Sequence, residues 1–275
     1  MAESVSPRTA AAGREGRGDS QPADRPGKHR FRGRYVYAVL GGNDAQALGP
    51  IGLGGGEVYT VTEGRVAAAV SDFPEGKIRP ERRNLAAHRD VLKTLMKDTT
   101  VLPMAFGVVA DSEAAVRKLL SKNETTFLSQ LRIVEGKVEM GLRVSWDVPN
   151  IFEYFVTTHP ELRDVRDRLF GAHGEPGQNE KIEVGRLFER LLNEDREAHT
   201  DRVTAILGTV ATDVKPGRCR SEREIMNLAC LVPRKSLGPF EAAVFEAARL
   251  FDDSYSFDYN GPWAPHSFVE VDLKA

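Results

Sequence analysis

The stretch Lys137-Val138-Glu139-Met140-Gly141-Leu142-Arg143-Val144-Ser145-Trp146-Asp147 alternates apolar and polar side chains with the period of a β-strand. Every second residue from Val138 to Trp146 is apolar, and the residues between them are polar, charged or glycine. Because successive side chains of a strand point to opposite faces, this pattern predicts a strand with one buried face. The segments that follow are interpreted relative to this strand.

Helical and extended patterns follow it in a recognisable order. The predicted elements are two short helices, a long amphipathic helix, two strands, a helix and a strand, at Ile151–Phe155, Glu161–Phe170, Glu180–Leu207, Thr209–Lys215, Ile225–Val232, Phe240–Phe251 and Tyr255–Tyr259. Strand, helical segment, strand, strand, helix and strand form the βαββαβ pattern of a ferredoxin-like fold.

A second, less regular set of strands and helices precedes residue 133. Its predicted strands are Arg34–Leu40, Glu57–Thr62, Arg65–Ser71 and a short one within Val101–Gly107, where Pro103 favours a sheet edge or a strand end. Its predicted helices are one with Leu85, His88, Leu92 and Leu95 on one face, one capped by Asp111 or Ser112 and running through Leu120, and one capped by Asn123 and reaching about Val134.

These patterns predict an α+β protein of two domains. Residues 33–132 form an N-terminal α+β domain, and residues 133–275 form a modified ferredoxin-like domain that ends in a Pro/Trp tail. Residues 1–32 are dominated by Ala, Gly, Ser, Pro and Arg and have too few apolar side chains to offset the entropy of ordering. We expect them to be a disordered leader.

Charge and hydropathy argue against several classes of partner. The formal net charge is -2, without the basic excess typical of proteins that bind nucleic acid or anionic membranes. The sequence has no apolar run of the ~20 residues that a transmembrane helix needs. We therefore expect no nucleic acid and no membrane as partners, and a cytoplasmic protein.

Two segments resemble catalytic motifs but lack their context. The glycine-rich run Gly52–Gly56 is followed by a predicted strand, whereas a phosphate-binding loop needs a helix there. His88-Arg89-Asp90 imitates a kinase triplet, but it lies in a predicted helix and Leu95 replaces the Asn that the motif requires. A hairpin loop and a core histidine are the simpler interpretations.

The remaining reactive side chains do not form a site either. No two histidines have the i, i+4 spacing of a helical metal site, and Cys219 and Cys230 fit neither a zinc nor a disulfide spacing. The acidic residues Asp252, Asp253 and Asp258 lie near no recognisable catalytic partner. The sequence therefore predicts no catalytic residue, no cofactor and no metal, and Cys230 is interpreted as a small buried hydrophobe.

The tail is the strongest candidate for an interaction site. Pro262 and Pro265 each fix φ and push the preceding residue toward extended geometry, so the backbone on both sides of Trp263 is restricted. The candidate protein-interaction residues are Asn260, Gly261, Pro262, Trp263, Pro265 and Phe268. The alternative is a structural turn that packs Trp263 onto the second domain.

Five segments, in order, resemble the gas vesicle protein F/L family (GvpF/GvpL), whose members are accessory proteins of gas vesicle formation. They are Tyr35–Val39, Leu102–Gly107, Glu139–Val144, Asn227–Val232 and Asp258–Val269, with Ala264 and His266 where the family is expected to have Pro and Tyr. The resemblance covers about residues 34–270 and leaves the leader outside it.

The resemblance implies a non-enzymatic accessory protein of gas vesicle assembly, located at the gas vesicle or in the cytoplasm. The implied partners are the major shell protein, which is small, hydrophobic and of the GvpA type, and other gas vesicle accessory proteins. The alternative is a ferredoxin-like sensor or enzyme that binds a small metabolite, for which Gly52–Gly56 and His88 would be the best residues.

Overall fold

The computed structural model describes residues 33–42, 46–74, 78–171 and 177–270. The predicted leader, residues 1–32, lies outside the described residues, as do the last five residues of the tail. The described residues group into one compact unit.

The described ranges contain ten strands and six α-helices. The strands are β1 Gly33–Gly41, β2 Ala47–Gly49, β3 Val58–Glu63, β4 Val66–Phe73, β5 Val101–Pro103, β6 Val109–Ala110, β7 Lys137–Trp146, β8 Asp213–Pro216, β9 Glu224–Pro233 and β10 Tyr255–Trp263. The helices are α1 Arg82–Leu95, α2 Glu113–Val134, α3 Ile151–Thr158, α4 Pro160–Gly171, α5 Gln178–Leu207 and α6 Leu237–Ala248. This mixture confirms the predicted α+β class.

The first sheet has the strand order β2-β3-β4-β1-β5, and β6 also pairs with β1. The predicted hairpin joins β3 to β4 through Gly64, whose φ of 58° lies in the left-handed region that glycine adopts without strain. Pro103 ends the edge strand β5, where its missing N–H breaks no interior pairing. Helix α2 packs against this sheet.

The second sheet has the order β10-β7-β9-β8, and all its pairs are antiparallel. The predicted alternation in β7 is confirmed, because every second side chain from Val138 to Trp146 is at most 4% exposed and those between are half-buried. The buried face of β7 shares an apolar cluster with residues of α3, α5 and α6. Its opposite face is polar and open, and it carries the candidate site.

One prediction for the first half was wrong. Residues 113–134 form the single helix α2, not two helices that meet at Asn123. Ser112 caps it, since its Oγ accepts a hydrogen bond of 3.1 Å from the Ala115 N–H. Asn123 is buried within the helix, where its Nδ2 donates to the Leu119 carbonyl at 2.8 Å instead of capping a new helix start.

Other element boundaries also differ from those predicted. Strand β8 begins at Asp213, because the chain after α5 continues through a turn before it extends. Strand β10 continues past Tyr259 to Trp263, so part of the predicted tail belongs to the sheet. Leu85 was placed on the buried face of α1, but it lies near the start of the helix and is 43% exposed.

Two apolar clusters hold these layers together. The larger one contains one face of the first sheet, with Tyr35 of β1, and the helix-covered face of the second sheet, with Val144 of β7. The smaller one lies between α2 and the first sheet, and it also contains Leu231 of β9 and Phe268 of the tail. Both clusters include residues from each side of position 132, and the division into two domains there stays a prediction.

The burial of Phe268 gives a first testable prediction. Phe268 is 5% exposed, so Phe268→Ala should lower the free energy of unfolding by about 3–5 kcal/mol through lost burial and a residual cavity. Ile133 is 49% exposed on α2 and provides an exposed control, since Ile133→Ala should change stability by less than about 1 kcal/mol. Urea denaturation of both variants measures the difference. Equal, small effects would show that the tail is not part of the core.

Candidate functional site

The candidate site includes the C-terminal end of β10, where the strand becomes irregular. The register with β7 shifts between Asn260 and Trp263, and Trp263 lies opposite Glu139. Gly261 occupies the shift with a φ of 129°, and a Cβ built there would come within 2.8 Å of the Met140 Sδ. Both the backbone angle and the lack of space therefore require glycine at this position.

Trp263 is half-buried and is fixed from two sides. Its Nε1 donates a hydrogen bond of 2.8 Å to the Asn260 Oδ1. On its ring face, the Lys93 Nζ lies 4.7 Å and the Arg89 Cζ 5.8 Å from the ring centroid, within the range of cation–π attraction. Trp263 therefore contacts α1 on its ring face as well as Asn260 and β7 of the second sheet.

The residues after Trp263 turn back over the open face of the second sheet. Ser267 donates to Glu139 twice, from its backbone N–H to Oε2 and from its Oγ to Oε1, each at 2.8 Å. Burial raises the pKa of Glu139, while the two hydrogen bonds from Ser267 act in the opposite direction. This pair fixes the turn against β7.

The structure separates the six candidate residues by exposure. Gly261 and Pro262 are exposed, and Asn260 and Trp263 are half-buried at the surface. Pro265 and Phe268 are buried with the core. A partner can therefore contact the first four in this conformation, whereas Pro265 and Phe268 support the segment from beneath.

A groove of about 450 Å³ lies beside this segment on the open face of the second sheet. Its floor is Gly141 and Ala229, which are paired neighbours on β7 and β9. Asn260 lies at the β10 end of this row and Lys215 at the β8 end. Small side chains in the floor and long ones around it produce the depression.

The two walls of the groove are chemically different. One wall is Trp263 with Glu139 and Ser267. The other is formed by Arg143 and Asn227, which are paired across β7 and β9. The groove thus presents an indole and an amide as well as charged groups.

Ion pairs offset much of the charge in the groove. Arg143 lies 3.5 Å from the Glu224 carboxylate and 3.8 Å from that of Asp258. Lys215 lies 3.4 Å from Glu270. A groove of this composition can bind a mixed polar and apolar protein segment, because it offers hydrogen-bonding groups beside the indole of Trp263.

The glycine-rich loop is occupied by its own hydrogen bonds. The N–H groups of Gly52, Gly55 and Gly56 donate to carbonyls within the loop, and the Leu53 N–H donates to the Tyr37 hydroxyl at 2.8 Å. These amides are not available to cradle a phosphate. A cavity of about 720 Å³ lies next to the loop, lined in part by Tyr59, Asp72 and Arg79.

His88 lies in a buried network of aromatic and polar groups. Its Nδ1 shares a hydrogen bond of 2.8 Å with the Tyr35 hydroxyl, which also accepts from the Gly107 N–H at 3.1 Å. Burial, and next the nearby His266, lower the pKa of His88 to about 4. His88 lines neither cavity described above, and its contacts are those of a core histidine.

The thiols show no sign of activation. Cys230 is fully buried, and burial raises its pKa to about 12. Cys219 is half-buried, its Sγ donates to the Ile225 carbonyl at 3.4 Å, and burial raises its pKa also. Because the thiolate is the reactive form, neither environment favours nucleophilic chemistry. Within the described ranges, no three His, Cys, Asp or Glu residues are grouped as a metal site would require.

Local sequence patterns do not reveal the partners of Trp263 or the far wall of the groove. The spacing of Arg89 and Lys93 on α1 was visible, since residues four apart share a helix face. Their position over the indole of Trp263 depends on how α1 packs against the rest of the fold, and no local sequence pattern predicts that packing. Likewise, the pairing of Arg143 with Asn227 follows from the register of β7 and β9.

Two solved structures have the same fold. The structure matches the crystal structure of the gas vesicle protein GvpF from Anabaena sp. PCC7120 with a TM-score of 0.77 and 24% identity, covering 88% of this chain and 99% of that one. It matches that of gas vesicle protein GvpF from Microcystis aeruginosa with a TM-score of 0.74 and 23% identity, covering 87% and 100%. This chain therefore shares its fold with these two gas vesicle proteins.

Sequence comparison identifies the family. The family model "Gas vesicle synthesis protein GvpL/GvpF" matches residues 33–270. Gas vesicle protein F of Streptomyces sp. (strain CB03234) is 30% identical over 239 residues, which are 86% of this chain and 99% of that protein. The chain belongs to the gas vesicle synthesis protein GvpL/GvpF family, and this membership supports an accessory role in gas vesicle formation. Within the described residues, no helix is both long and apolar enough to cross a membrane.

The environment of His88 predicts a dependence of stability on pH. The folded pKa of about 4 lies below the ordinary value of 6.5, so the unfolded chain binds the proton more tightly. The stability contributed by neutral His88 is therefore complete above pH 6.5 and is lost as the pH falls toward 4, by about 3 kcal/mol in total. His88→Gln should remove this part of the acid sensitivity, measured as the loss of unfolding free energy between pH 7 and pH 5. An unchanged loss in the variant would assign the acid sensitivity to other groups.

Proposed function

We propose that this protein acts in gas vesicle assembly as a non-enzymatic accessory protein that binds the small hydrophobic shell protein. Membership in the family supports the accessory role. A subunit that lines a gas phase must expose an apolar face, and such a face aggregates in water unless another protein covers it or delivers it to the growing shell. A binding surface, not a catalytic pocket, meets that need.

The observation that carries the proposal is the position of Trp263 at the rim of the groove. Its indole is half-buried, so part of it remains available, and its other contacts already hold it in one orientation. A fixed aromatic side chain at the edge of a depression is typical of residues that dominate binding energy, because little conformational entropy is lost on contact. The exposed Gly261 and Pro262 continue this surface.

Replacement of Trp263 tests the proposal. Trp263→Ala should strongly reduce capture of the major shell protein, since a single aromatic of this kind commonly contributes ~2 kcal/mol or more to binding. Trp263→Phe is the matched control, because it keeps an aromatic ring over which Lys93 and Arg89 can lie. Pull-down and melting temperature are measured on the same preparations.

Three results separate the alternatives. Lost capture at a nearly unchanged melting temperature supports docking at Trp263. A melting temperature lowered as for a buried large-to-small change, with ~3–5 kcal/mol of stability lost, supports the purely structural alternative. Normal stability with normal capture contradicts both.

We further infer that residues 133–275 form a modified ferredoxin-like domain. The strand order β10-β7-β9-β8 is the fourth, first, third and second strand of that region in chain order, all antiparallel. This arrangement supports the βαββαβ interpretation, with α3 and α4 as additions before α5. On this proposal, residues 33–132 are a separate α+β domain.

Limited proteolysis tests the domain proposal. Cleavage should first remove residues 1–32 and then give fragments of roughly 11 and 16 kDa, the masses expected for residues 33–132 and 133–275. Mass spectrometry of the products locates the cuts. A resistant fragment that keeps residues 33–270 intact would contradict the two-domain proposal, and protection of residues 1–32 would contradict the disordered leader.

A further inference from the structure

Strand β10 is the last strand of the second sheet, and among the described residues no other strand pairs with its outer edge. The Asp147 N–H donates to the Ser254 carbonyl at 2.7 Å just before β10 begins. In an antiparallel pair, inward and outward backbone groups alternate along the strand. Since the register is continuous from Tyr255 to Asn260, the odd-numbered residues of β10 direct their N–H and C=O groups outward.

The side chains on this edge form a nearly symmetric pattern. Tyr255-Ser256-Phe257-Asp258-Tyr259 has the same aromatic spacing in both directions from its centre. The three aromatic side chains are half-buried on the face that the helices cover, and Ser256 and Asp258 are exposed on the open face. A segment of this kind can pair antiparallel with a copy of itself so that each aromatic side chain lies opposite an identical one.

We propose that β10 pairs antiparallel with β10 of a second copy of this chain, about a two-fold axis at Phe257. The two four-stranded sheets then become one sheet of eight strands. Tyr255 lies opposite the partner's Tyr259, Phe257 lies opposite the partner's Phe257, and aromatic cross-strand pairs of this kind stabilise a sheet. The outward N–H and C=O groups of Phe257, the N–H of Tyr259 and the C=O of Tyr255 find partners, whereas the Tyr255 N–H already donates to the Asp252 carbonyl at 3.3 Å.

Repulsion between carboxylates favours the register with its axis at Phe257 over the one with its axis at Asp258. With the axis at Phe257, Ser256 lies opposite the partner's Asp258, and no like charges meet. With the axis at Asp258, two carboxylates would lie directly opposite each other, which destabilises antiparallel pairs. The shift between Asn260 and Trp263 and the proline at 262 limit the pairing to the regular part of the strand.

Helix α6 provides apolar surface beside the same edge. The ring of Phe240 in α6 lies 6.2 Å from that of Tyr259 between centroids, and its neighbour Glu241 is exposed. Phe245 is four residues further on the same side of α6, and it is 64% exposed. A strand added outside β10 extends the sheet beneath this side of the helix and gives Phe245 apolar cover.

Opposite substitutions at the exposed Ser256 test the pairing without removing core side chains. Ser256→Asp places two carboxylates opposite each other at both symmetric positions and should weaken dimerisation about tenfold. Ser256→Lys places a cation opposite the partner's Asp258 and should preserve or strengthen it. Sedimentation equilibrium of the full chain and both variants measures the dissociation constants, with melting temperatures as the folding control.

Mixed cross-linking tests the register. Ser256→Cys and Asp258→Cys are purified separately, and disulfide-linked dimers should form readily only when the two are mixed, because these positions face each other at ~4.5 Å between Cα atoms. The parent chain shows any background from Cys219 and Cys230.

Three outcomes would overturn the proposal: a chain that stays monomeric at high concentration, equal dimerisation of the Asp and Lys variants, or cross-linking as strong in either single variant as in the mixture. A monomer whose capture of the shell protein changes with Ser256→Asp would assign the edge to that partner instead. Preferential cross-linking in the mixture, with the two Ser256 variants differing in the expected direction, supports the proposal.

Discussion

The burial of Phe268 between α2 and the second sheet is the contact on which the arrangement of the molecule depends. Phe268 shares a cluster with Phe127 of α2 and Leu231 of β9, so a residue near the end of the fold joins elements from both halves. The double hydrogen bond from Ser267 to Glu139 holds the turn that delivers it. Removal of this contact would leave apolar surface on α2 and β9 exposed to water.

Other links join the halves close to this point. The Arg234 guanidinium, just after β9, donates to the Met96 carbonyl at the end of α1. Trp263 lies against Lys93 and Arg89 of the same helix. Because Trp263 also forms a wall of the groove, a partner that binds there would contact a residue that already connects the two halves. Binding and the stability of the tail are then coupled, since any ligand of the folded form stabilises it.

His88 and the Gly52–Gly56 loop, which resemble catalytic motifs in the sequence, stabilise the core of the first sheet. The hydroxyl of Tyr35 bonds to His88, and that of Tyr37 bonds to Ser71 at 2.9 Å, while both rings stay fully buried. A buried hydroxyl group destabilises the fold unless it forms hydrogen bonds. The glycine-rich loop supplies one such bond, from the Leu53 N–H to the Tyr37 hydroxyl. Close packing against Tyr37 explains Gly52, since a Cβ there would lie 2.7 Å from the hydroxyl oxygen, and the φ angles of 63° and 78° explain Gly54 and Gly55.

The sequence by itself determined the α+β class, the central strand β7, the β3–β4 hairpin and the family, because alternation, helical spacing and turn residues are local properties of the chain. It did not determine that α2 is continuous through Asn123, since a polar residue can cap a helix or bond back to the preceding turn. Only the tertiary structure decided that Phe268 is buried while Trp263 stays at the surface. Both are large and aromatic, and their exposure depends on which distant elements the tail meets. The same holds for the groove, whose floor and walls come from four strands brought together by long-range pairing.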